Sequence, residues 1–142
     1  MDKIKVIIYA IAAYLGVDVE TGAILIGLMS IDSFVGGIRA IRMNEGFTFR
    51  KMLWGFISKL SFLIIPLVLA LLGNSLGYDF HYVVSVTLSI LTVAEVYSII
   101  GNIYSAKNLI KVQKIDAVSL LLVNIRRLLK KLLINLLNLI NK

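Results

Sequence analysis

Four ionisable side chains interrupt apolar stretches of the chain: Asp32 and Arg39 within residues 21–42, Lys59 within 49–72, and Glu95 within 81–103. A charge inside hydrocarbon is costly, so each such residue is a candidate functional group. Two chemistries fit this set. The groups form a buried ion-pair cluster that fixes how helices pack, or they line a polar pore, and one arrangement can be converted into the other. A proton relay through Asp32 and Glu95 fits less well, because the chain lacks the inverted repeats on which transporters are built. Enzyme chemistry is not written here. No nucleophile–base pair, phosphate-cradling glycine loop or metal-ligand spacing occurs. The chain has no cysteine and one histidine, which excludes disulfides, thiolate metal sites and multi-histidine sites. His81 reads as an interface residue. No cofactor and no metal is expected, and the protein is not expected to be an enzyme.

The elements that must position these groups follow from composition. Of 142 residues, 59% are hydrophobic and 16% charged, and the mean hydropathy is +0.93. A soluble domain averages about 25% charged residues, and one this small could not bury so much apolar surface. The chain reads as an all-α integral membrane protein. Stretches of some twenty apolar residues, enough to cross about 30 Å of hydrocarbon, occur at residues 21–42, 49–72 and 81–103. Pro66 predicts a kink in the second. The turn at 43–47 holds Asn44 and Gly46, and the turn near 73–79 holds Gly73 and Gly77. Residues 1–20 predict an N-terminal interfacial helix, since the run from Ile4 to Val17 is too short to span. Residues 104–142 predict a basic amphipathic cytoplasmic helix, entered through a polar linker at Ser105–Asn108.

The net charge is +7, and its distribution predicts orientation. Arg39, Arg42, Arg50 and Lys51 flank the first turn, and the tail carries Lys107, Lys111, Lys114, Arg126, Arg127, Lys130, Lys131 and Lys142, whereas the second turn has only Asp79. Lys and Arg accumulate on the cytoplasmic side and face anionic lipid. The N-terminus is therefore expected outside and the C-terminus in the cytoplasm. The basic balance reads as topology, not as nucleic-acid binding, because no aromatic-plus-basic groove motif accompanies it.

Depth can then be compared between helices. At 1.5 Å per residue from the cytoplasmic end, Lys59 and Asp32 lie about 15 Å in and Glu95 about 12 Å. Three ionisable groups on three helices thus share one layer, with Arg39 two turns from Asp32 on nearly the same face. Ser33 with Gly37, and Gly36 with Ala40, form small-xxx-small pairs that let helix backbones approach closely in lipid. Ser85, Ser89, Thr92, Glu95, Ser98 and Asn102 form a drifting polar stripe along the third span.

The tail carries a heptad. Ile115, Val118, Leu122, Ile125, Leu129, Leu132, Leu136 and Leu139 recur at alternating spacings of three and four. Leu121, Leu128 and Leu133 widen the apolar face, which fits a multi-helix self-association seam or a helix lying on anionic lipid.

Several of these segments resemble the toxin-secretion/phage-lysis holin family. Asp32-Ser-Phe-Val-Gly36-Gly-Ile-Arg39-Ala40 is similar to that family's first-span signature of aspartate, glycine, basic residue and alanine. Gly55-Phe-Ile-Ser-Lys59 resembles the lysine-bearing start of its second span, and Glu95-Val-Tyr-Ser-Ile-Ile-Gly-Asn102 its third-span signature. Gly101 departs from the pattern, which often has an acidic residue there, and the C-terminal helix is longer and more regular than a simple basic tail. The resemblance implies a phage-encoded homo-oligomer of the bacterial inner membrane that opens lesions and lets an endolysin or toxin out. Two other classes fit the residues alone. One is a membrane anchor or scaffold whose tail docks a cytoplasmic partner. The other is an ion-conducting toxin or defence effector.

Overall fold

The computed structural model describes residues 2–15, 18–112 and 117–140. Among them every regular element is helical: α1 (Asp2–Leu15), α2 (Val19–Arg42), α3 (Phe49–Leu60), a 3-10 turn (Ser61–Leu63), α4 (Ile64–Leu76), α5 (His81–Asn108) and α6 (Ala117–Ile140). Three stretches are long and apolar enough to cross a membrane: α2, the continuous run Phe49–Leu76 and α5.

Local chemistry sets the ends of these helices. Asp18 starts α2 by accepting from the backbone N–H of Thr21 at 2.9 Å and of Glu20 at 3.3 Å, and the Thr21 hydroxyl donates to the same carboxylate at 2.5 Å. The chain leaves α2 through Asn44 and Gly46, both at positive φ. Thr48 then starts α3 by accepting from the Lys51 N–H at 3.3 Å. The second span changes pitch at Ser61–Leu63. Pro66 has no N–H to give to the carbonyl four residues earlier, and its ring crowds that carbonyl. A tighter local turn just before it absorbs the mismatch. At the far end Gly77 adopts the left-handed conformation, φ +68°, and the Tyr78 N–H returns to the Gly73 carbonyl at 3.0 Å. The next helix folds so closely over this end that a Cβ on Gly73 would lie 2.7 Å from that of Phe80.

Three consecutive crossings make α2 and α5 run in the same direction, and theirs is the principal helix pairing. The dry core is built from Leu25 and Met29 of α2, Leu69 and Ala70 of α4, and Val84, Leu88 and Leu91 of α5. All of these lie in the half of the bundle nearer the α4–α5 turn. Leu121 of α6 joins the same core, with Ile125 packed against it. The perimeter is apolar too: Phe34, Trp54, Val93 and Ile100 are each at least 60% exposed, which suits side chains that face lipid.

Two boundaries differ from the sequence reading. The Ser105–Asn108 stretch, read as a linker, is the last turn of α5, because Ser105 and Ala106 are buried and the Ser105 hydroxyl accepts from the Val112 N–H at 3.4 Å. The second span also runs on to Leu76, because the helix stops only where Gly77 can turn left-handed.

Candidate functional site: an ion network between the spans

Asp32 sits on the face of α2 turned towards α5 and is buried. Glu95 is buried on α5, and Lys59, in the last turn of α3, is partly exposed. The Lys59 ammonium donates to Asp32 Oδ2 and, at 2.5 Å, to Glu95 Oε2. One cation thus bridges two carboxylates from two other helices. Its flexible stem lets a residue at the edge of α3 deliver charge to the interior.

The network continues towards the α2–α3 turn. Asn102 stands two helical turns beyond Glu95 and donates from Nδ2 to Asp32 Oδ1 at 2.8 Å. Its Oδ1 accepts from Arg39 at 3.0 Å, and Arg39 also donates to Glu45 Oε2 at 2.8 Å. An amide suits the middle of this chain, because it can accept from a cation and donate to an anion at once. Lys111 lies 4.0 Å from the other Glu45 oxygen and is exposed. The Arg39 Nε–H is buried and has no partner among the described residues.

Small residues hold open the space beside this network. A cavity of about 350 Å³ lies between α2, α3 and the turn, lined by Asp32, Ser33, Gly36, Gly37, Arg39, Ala40 and Asn102 on one side and Glu45–Thr48, Lys51, Met52, Gly55 and Lys59 on the other. Gly37 is buried under Phe47 and Met52, and a Cβ there would come within 3.0 Å of the Phe47 ring. A Cβ on Gly36 would make ordinary 3.5 Å contact with Asn102, and one on Gly55 would meet nothing. Ser33 turns its hydroxyl onto the Met29 carbonyl of its own helix.

The structure therefore brings Asp32, Lys59, Glu95 and Arg39 into one connected network. Sequence reasoning missed Asn102 and Glu45 as members. Asn102 carried a signal, since it lies seven residues after Glu95 and so on the same face of α5. Glu45 carried none, because its place depends on how the turn folds back onto Arg39. Among the described residues no group of three His, Asp or Glu side chains is placed to hold a metal ion.

The heptad residues divide. Ile115 and the Val118 side chain lie outside the described residues. Ile125, Leu132 and Leu136 are half-buried, whereas Leu122, Leu129 and Leu139 are exposed. The buried residue is Leu121, from the flank of the seam. The bundle takes up only a narrow strip of a wide apolar face.

Three apolar spans enclosing a charged, hydrogen-bonded layer define a multi-pass helical membrane protein. The family pattern of the bacteriophage holins matches residues 9–118, from within α1 through all three spans to the start of α6, and the chain belongs to that family. The holins are not an enzyme family. No curated protein and no solved structure matches the chain.

Proposed function

We propose that the protein is a holin that assembles as a homo-oligomer in the bacterial inner membrane, N-terminus outside and C-terminus cytoplasmic, and permeabilises it to release an endolysin or toxin. The carrying observation is that the described residues of one protomer line no polar path from end to end. Asp32, Lys59 and Glu95 are paired within one half, and the other half is closed by Leu25, Met29, Leu88 and Leu91. A lesion must therefore be built between protomers. The Asp32–Lys59–Glu95 network holds the packed protomer together, and exchange of its partners for water or for a neighbour's groups opens the assembly. The small-residue pairs at Ser33, Gly36, Gly37 and Ala40 set the helix spacing. The outward residues of α6, Leu122, Leu129 and Leu139, supply a seam for a second copy, while its basic face meets anionic lipid.

Co-expression with a cytoplasmic endolysin tests this reading. The pair should lyse cells abruptly, and neither protein alone should clear the culture. The double variant Leu122→Asn, Leu129→Asn alters outward side chains only, so it should shrink the detergent-extracted oligomer and delay lysis. Membrane insertion without lysis would return the protein to an anchoring role, and ion leakage without endolysin release to that of an ion-conducting effector. Orientation is read separately. A cysteine at Ser75 should react with an impermeant thiol reagent in spheroplasts, and one at the exposed Lys107 should not.

A further inference from the structure

We propose that the cavity between α2 and α3 is a hydrated vestibule, a site for water and water-sized solutes that carries the aqueous phase from the 43–48 turn to the Asp32–Lys59 ion pair. This deepens the permeabilising reading, because it states which part of the closed protomer is already wet. Two features support it. The first is size: about 350 Å³ has room for on the order of ten waters at about 30 Å³ each. The second is lining: Lys59 and Asp32 stand at the bottom, Arg39 at the side, and Glu45 and Lys51 by the turn, so a water there finds several polar partners. Lipid chains would instead leave the ion pair against hydrocarbon. The vestibule ends where the dry core begins, at Met29 one turn from Ser33.

The chain has no cysteine, so single thiols can report this directly in the full-length protein in its own membranes. Ser33 lines the cavity, whereas the adjacent Phe34 is 63% exposed on the perimeter. The two sit at one depth, about 14 Å from the end of α2 at 1.5 Å per residue. A water-soluble methanethiosulfonate reagent is supplied to both faces of permeabilised vesicles, which makes the result independent of orientation. Thiols react as thiolates, and a thiolate needs water. Ser33→Cys should react at least tenfold faster than Phe34→Cys, and Gly55→Phe, which fills open space, should slow it severalfold. Equal rates, or a rate that Gly55→Phe leaves unmoved, would overturn the vestibule. Should Ser33→Cys fail to accumulate, Ala40→Cys against the exposed Ile41→Cys gives the same comparison nearer the mouth. Labelling does not depend on lysis. Slow labelling with normal lysis removes the vestibule alone, and fast labelling without lysis removes the lytic reading alone.

Discussion

The two halves of the bundle are made by the same helices and held by different forces. Near the α4–α5 turn, α2 and α5 meet through Leu25, Met29, Val84, Leu88 and Leu91. One to three turns further along, the same pair meets through Asp32, Arg39 and Asn102, and through Glu95 by way of Lys59. In lipid there is no hydrophobic gain from pressing Leu against Leu, so the dry half is held by close packing alone. Its contacts are many, small and separable. The charged half has few contacts: Lys59, Asp32, Glu95 and Asn102 satisfy one another, and the Arg39 Nε–H is left without a partner among the described residues. Loss of one member strands its partners in a layer of low dielectric, where an unpaired charge is costly. The dry half should therefore degrade gradually under mutation, and the charged half abruptly.

Lys59 is the sharpest place to break that contrast. Lys59→Met leaves two carboxylates facing each other; removal of one member of a buried pair costs about 3–5 kcal/mol, and the partial exposure of Lys59 puts the expected loss at the low end of that range. Thermal unfolding in mild detergent should drop accordingly, and lysis timing should shift with it. Adding Glu95→Gln should restore part of the loss. A double-mutant cycle reads the coupling, and strictly additive effects would mean that the three charges act separately.

A smaller loss is expected in the dry half. Met29→Ala should cost about 2 kcal/mol, the low end for emptying a packed site, because the membrane-inserted reference state buries the side chain in lipid in any case. Combining it with Leu69→Ala, on another helix, should give nearly the sum of the two effects. A coupling as large as that of Lys59 with Glu95 would erase the distinction between the halves.

The smallest effect lies outside the spans. Hydrogen bonds from the Thr21 hydroxyl and then the Thr21 and Glu20 N–H groups hold the Asp18 carboxyl below its ordinary value of 3.8. A carboxyl with a depressed folded value supports the fold above its unfolded value. That support fades as pH falls through the lower folded value. Circular dichroism in detergent should show a slight loss of helix stability below about pH 4, and Asp18→Asn, which still caps, should remove the pH dependence. A loss just as large in the variant would assign the acid response to other carboxylates.

Much of this architecture is local and therefore legible in the chain. Hydropathy marks the three spans, because each needs only its own length of apolar residues. Asp18, Pro66 and Gly77 act within a turn of themselves, so their positions nearly fix the helix ends. Asp32, Lys59 and Glu95 announce themselves by interrupting apolar runs, and helix rise alone puts them at one depth. Depth is only one coordinate, however. The rotation of each helix about its axis decided that Lys59 reaches both carboxylates, and that Asn102 and Glu45 extend the pairing to Arg39. The wide apolar face of α6 allowed several seams, and only packing against the bundle selected Leu121 and Ile125 as the inward strip, leaving Leu122 and Leu129 outside. The cavity was the least legible feature. It exists because Gly36, Gly55 and Ala40 leave side-chain volume unfilled where two helices and a turn converge, and the shape of that space belongs to no single stretch of sequence.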